Sequence, residues 1–101
     1  MWKLCFMNFA DYLDHLKTMD SPDVRIQTME GRSIGNNMIT IITTARSKDG
    51  FTLVVFEKMI AHGIPMDELD ATRQKALDTK KEWTDSIVAL GLTPRVGIWE
   101  I

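Results

Sequence analysis

A chain of 101 residues with 45% hydrophobic and 26% charged side chains has the composition of one globular domain, which disfavours a disordered chain or a multidomain assembly. Its net charge of −2 lacks the basic excess that nucleic-acid binders carry, and no apolar run approaches the roughly 18 residues needed to cross a bilayer. Cys5 is the only cysteine. An intramolecular disulfide is therefore impossible and, since the first residues show no secretory leader pattern, a reducing cytoplasm is the expected location.

At the N-terminus Trp2, Leu4 and Phe6 alternate as in a strand, while Trp2, Phe6, Phe9, Leu13 and Leu16 also keep helical spacing. Asn8, followed three residues later by Asp11, is an N-cap signal. It predicts a helix from Phe9 to about Met19 with Phe9, Tyr12, Leu13, Leu16 and Met19 inward, and leaves residues 1–7 open between strand and extension. Asp20-Ser21-Pro22-Asp23 then turns the chain, because Pro22 forces its neighbour out of the helical region.

A meander follows. Val24 to Glu30 reads as a strand, Gly31 to Asn37 as a connection, Met38 to Ala45 as a second strand, and Ser47 to Gly50 as a tight turn into Phe51 to Phe56. Met38 to Ala45 carries no charge and is apolar on both faces, so it belongs in the middle of a sheet, where its edges are paired. Phe51 to Phe56 is also apolar on both sides, which requires cover on each face or a dimer contact on one. Glu57 to His62 fits either strand continuation or a short helical turn, with Gly63 ending it.

Pro65 to Gly91 is the most legible stretch. Pro65 suits a first helical turn, Asp67, Glu68 and Asp70 put negative charge at the positive end of the helix dipole, and Gly91 stops the helix. One face carries Met66, Leu69, Arg73, Ala76, Lys80, Trp83, Ile87 and Leu90 at alternating spacings of three and four. At about 1.5 Å per residue the helix would be roughly 40 Å long, longer than the ~34 Å diameter of a domain this size, so it must run the full width, bend near Thr79 or overhang. Arg73 and Lys80 interrupt its apolar seam. Either their stems cover apolar surface while their charged heads reach water, or they fix the pairing with a second copy of the helix. Beyond Gly91, Leu92 to Arg95 turns the chain, and Val96 to Ile101 reads as a last strand with Trp99 and Ile101 on one side.

These elements define an α+β fold over residues 1–101: a mostly antiparallel sheet of four or five strands, one long helix in the C-terminal half and one shorter N-terminal helix. If residues 1–7 form a strand, the order becomes ferredoxin-like with one strand added. Two helices are little cover for so apolar a sheet. The expected function is accordingly that of a non-catalytic binding protein, working as a homodimer or as a subunit or inhibitor of a larger protein partner. Phe56, Trp99 and Ile101 are the candidate contact residues, since aromatic side chains carry much interface energy.

Two alternatives rest on specific residues. Glu57 and His62, beside Gly63 and the start of the long helix, would form an acid–base pair if the loop makes a cleft. The order helix, three antiparallel strands, helix is also similar to that of double-stranded RNA-binding domains, with Thr79-Lys80-Lys81-Glu82 as the basic stretch; those lysines, however, lie halfway along the helix among Asp78, Glu82 and Asp85. His15 and His62 form no metal-binding pattern, and no metal or cofactor is expected.

Overall fold

The computed structural model describes residues 2–33 and 36–97. Chain order is β1 (Trp2–Phe6), α1 (Phe9–Leu16), β2 (Asp23–Ser33), β3 (Asn36–Arg46), β4 (Thr52–His62), a single 3₁₀ turn (Met66–Glu68), α2 (Leu69–Val88) and β5 (Arg95–Val96). The strands form one sheet in the order β1-β4-β3-β2-β5. The predicted meander is its centre: β2 pairs antiparallel with β3, and β3 with β4. Both outer pairings, β1 with β4 and β2 with β5, are parallel, so the sheet is mixed. Residues 1–7 do contribute a strand, but β1 sits at an edge outside the intact meander, which is not the ferredoxin-like placement.

Each helix starts where its sequence signal lies. Asn8 is extended (φ −143°), and its side chain accepts a hydrogen bond from the Asp11 amide at 2.9 Å, satisfying one of the orphan N–H groups of the first turn of α1. α1 ends at Leu16, short of the expected Met19. The 3₁₀ turn after Pro65 runs directly into α2, and Gly91 adopts φ 85° as the chain leaves the helix, with its amide bonded to the Val88 carbonyl at 2.9 Å. That left-handed conformation costs a glycine little.

Topology explains why both helices share one side of the sheet. β1, β4, β2 and β5 all point the same way, so β1-α1-β2 and β4-α2-β5 are both crossovers between parallel strands, and both cross the sheet in the same direction. Crossovers of one hand made in one direction must lie on one face. The core sits there: Val24 and Ile26 of β2, Ile39, Ile41 and Ala45 of β3 and Val54 and Phe56 of β4 pack against Tyr12, Leu16, Leu69, Ala76, Trp83 and Ile87. The Tyr12 hydroxyl and Thr43 Oγ1, both buried, share a 3.0 Å hydrogen bond.

Arg73 and Lys80 are both bonded within their own chain. Arg73 bonds the carboxylate of Glu30 on β2 through Nη2 (2.8 Å) and Nε (3.0 Å), and the Glu30 side chain has no exposed surface. Lys80, only 7% exposed, donates from Nζ to the Gly97 carbonyl at 2.9 Å. Both cations therefore tie the long helix to the sheet of their own chain; Lys80 is buried, while Arg73 stays 30% exposed and also bonds the exposed Asp70 at 3.3 Å. Burial lowers the Lys80 pKa from its ordinary value.

Candidate functional site: the helix-free face of the sheet

The strand registers place the alternate residues of each strand on the face opposite the helices. Reading across the sheet from β1, they form rows: Lys3, Leu53, Arg46 and Asp23; Cys5, Val55, Thr44, Arg25 and Arg95; Glu57, Ile42 and Gln27; Met59, Thr40 and Met29; His62, Met38 and Gly31. Among the described residues no helix covers this face. Its middle is apolar. Val55 and Thr40 are shielded by their neighbours (7% and 6% exposed), while Met29, Met38 and Met59 stand 45%, 37% and 51% exposed. Three long, unbranched, polarizable side chains at one end make a surface that adapts readily to another apolar surface.

The opposite end is cationic. Lys3, Arg25, Arg46 and Arg95 lie there with a single acid, Asp23, although the chain as a whole is net negative. Arg95 holds Asp23 through Nε–Oδ1 (3.1 Å) and Nη2–Oδ2. This guanidinium, with the fields of Arg25 and Arg46 behind it, keeps the Asp23 carboxyl below its ordinary pKa of 3.8. A recess of about 330 Å³ opens between the strands, lined by Asp23, Arg25, Gln27, Thr44, Arg46 and Leu53. Arg25 and Arg46 did not stand out in the sequence, because they come from different strands and meet only through the register.

The sequence candidates fall as follows. Glu57 and His62 are both on the helix-free face, since a bulge at Ile60 (Ile39 opposite Ala61, Thr40 opposite Met59) corrects their odd spacing. They lie opposite Ile42 and Met38, four residues apart along β3, so their backbones are separated by roughly 13 Å. That is too far for an acid–base pair to share one proton path without a bridging group. Phe56 is 6% exposed and packs in the core, its ring 5.0 Å from Trp83 and 5.8 Å from Phe9; it also walls a recess of about 310 Å³ at the β4 edge with Met7, Phe9, Glu57 and Trp83. Trp99 and Ile101 lie outside the described residues.

A wider recess of about 510 Å³ lies between His15, Thr18 and the Ser47–Asp49 turn, where several of the polar groups are engaged locally. Ser47 Oγ bonds Asp49 at 2.6 Å, Asp49 accepts the Phe51 amide at 2.9 Å, and Thr18 Oγ1 donates to the His15 carbonyl at 2.7 Å. Among the described residues no three His, Cys, Asp or Glu side chains converge as metal ligands, and no helix is long and apolar enough to cross a membrane. Of the basic stretch in α2, Lys80 is committed to Gly97, and the start of the helix is acidic (Asp67, Glu68, Asp70). It offers phosphates little.

Fold and site together define an α+β protein with a mixed five-stranded sheet, two helices on one face and an exposed apolar-to-cationic surface on the other. Compared with known proteins, the chain matches no family model, no curated protein and no solved structure.

Proposed function

We propose that the chain is a cytoplasmic, non-catalytic protein-binding module that works through the helix-free face of its sheet, with a second copy of itself as the first partner to test. The observation that carries this reading is the row pattern: Leu53, Ile42, Met59, Met38 and Met29, each at least partly exposed around the shielded Val55 and Thr40, form a mostly apolar patch that no helix covers among the described residues. Soluble monomers seldom expose large contiguous apolar patches, and sheets stacked face to face bury such surfaces at about 10 Å separation. Strands of 11 residues give a face about 36 Å long and, across five strands, about 19 Å wide, an upper bound near 700 Å². A standard interface takes about 800 Å² from each partner, more than the apolar end of this face offers, so the expected association is of the smaller, weaker class.

Light scattering tests the self-association directly. The unchanged chain is expected at twice the 11.5 kDa protomer mass, and Ile42→Lys, which sets a charge at the centre of the patch while leaving the core side of β3 intact, is expected at the protomer mass with unaltered circular dichroism. A wild-type chain that remains at 11.5 kDa up to its solubility limit refutes the homodimer.

A further inference from the structure

The cationic end of the sheet differs in chemistry from the apolar patch beside it. Arg46 lies directly opposite Asp23, and Arg25 lies between Thr44 on one side and Arg95 on the other. Like charges directly opposite on neighbouring strands are destabilising, and Arg25 facing Arg95 is such a pair. Asp23 is the only acid among them. It is taken up by Arg95 with two hydrogen bonds, and Arg25 Nε reaches it only at 3.8 Å. Three guanidinium groups thus share one carboxylate, leaving two positive charges at the mouth of the recess of about 330 Å³.

We propose that this recess binds a phosphoryl dianion, the phosphate group of a free ion or of a phosphomonoester, between the guanidinium groups of Arg25 and Arg46. The charge count selects the class. A phosphomonoester carries about −1.5 to −2 at neutral pH and cancels the excess, whereas a carboxylate offsets only half of it. Planar guanidinium groups present paired N–H donors that match tetrahedral oxyanions, and the Thr44 hydroxyl lines the same cavity as a neutral donor. Leu53 supplies an apolar wall against which the carbon skeleton of an ester would lie. The chain is net negative, so a dianion has no general electrostatic reason to collect on it. Binding there has to be local. The site stands whether or not the rest of the face takes a protein partner.

The test is a titration of the isotopically labelled chain followed through its backbone amide resonances at fixed ionic strength, with inorganic phosphate, O-phosphoserine and acetate as separate probes. Expected are saturable shifts centred on Arg25, Thr44 and Arg46, at least tenfold tighter for phosphate than for acetate, and at least tenfold weaker in the Arg25→Gln/Arg46→Gln variant. Both arginines are exposed, and the dispersion of the same spectra reports that the variant is folded. Equal affinities for phosphate and O-phosphoserine mean that the site takes the free ion; tighter O-phosphoserine means that it takes a phosphorylated group. Shifts that do not saturate, that acetate reproduces at the same concentration, or that survive both substitutions overturn the proposal.

Discussion

Replacing Arg73 by methionine removes the cation that faces Glu30 while keeping most of the side chain's bulk. Glu30 then keeps a carboxylate with no exposed surface that has lost two charge-assisted hydrogen bonds, of 2.8 and 3.0 Å. Breaking a buried pair from one side costs about 3–5 kcal/mol, because a desolvated charge loses its counter-ion. The Arg73 side chain is 30% exposed, so water can partly take its place, and the lower figure of about 3 kcal/mol applies. The second contact of Arg73, to Asp70 at 3.3 Å, adds little, since that carboxylate is 98% exposed. Against a total stability of roughly 5–15 kcal/mol for a domain of this size, such a loss lowers Tm by about 12–24 °C. Urea unfolding followed by far-ultraviolet circular dichroism measures it. The double variant Glu30→Leu/Arg73→Met removes both charges and should return to within about 1 kcal/mol of the parent. A single variant within about 0.5 kcal/mol of the parent, or a double variant no better than the single, refutes the reasoning.

Tyr12 is the sole tyrosine, so phenolate absorbance reports it alone. Burial pushes its pKa up to about 12, partly opposed by the hydrogen bond with Thr43; this stabilisation is complete below pH 10 and is lost as pH rises through about 12, amounting to about 3 kcal/mol. An absorbance midpoint near 10 in the folded protein contradicts it. Asn8→Ala deletes the cap on α1 and should cost about 1 kcal/mol, or roughly 4–8 °C in Tm, by thermal denaturation; no change means that the cap seen at 2.9 Å contributes nothing. Gly91→Ala forces a side chain into φ 85° and should cost a further 1–2 kcal/mol by the same measurement.

Local chemistry was legible in the sequence wherever neighbours along the chain decide structure. Asn8 with Asp11, the Ser47–Gly50 turn, Pro65 and Gly91 all mark the ends of elements at or near the places observed. The uncharged run Met38 to Ala45 placed β3 inside the sheet, and it lies there between β2 and β4. Partnerships across the chain were less legible. Nothing near Trp2 says that it will pair with Thr52, and nothing near Arg25 says that Arg95 will lie beside it. The mostly antiparallel centre of the sheet is as the sequence implies, but the two parallel edge pairings and the cationic end have no local signal. The partners of Arg73 and Lys80 are not legible either, because an acceptor on a distant strand has no periodic signature. The bulge at Ile60 was invisible for the same reason: only the partner strand defines a residue as extra.

The arrangement of the two outer strands also orders assembly. Trp2 meets a residue 50 positions later in the chain, and Arg25 one 70 positions later, whereas the hairpins between them close over a few residues. Closing a large loop takes entropy before any contact rewards it, and chains rich in such distant pairings fold slowly. Amide protons of the meander should gain protection first during refolding, and those of Trp2–Phe6 and Arg95–Val96 last, so that the half-made sheet waits with both flanks open for its own two ends.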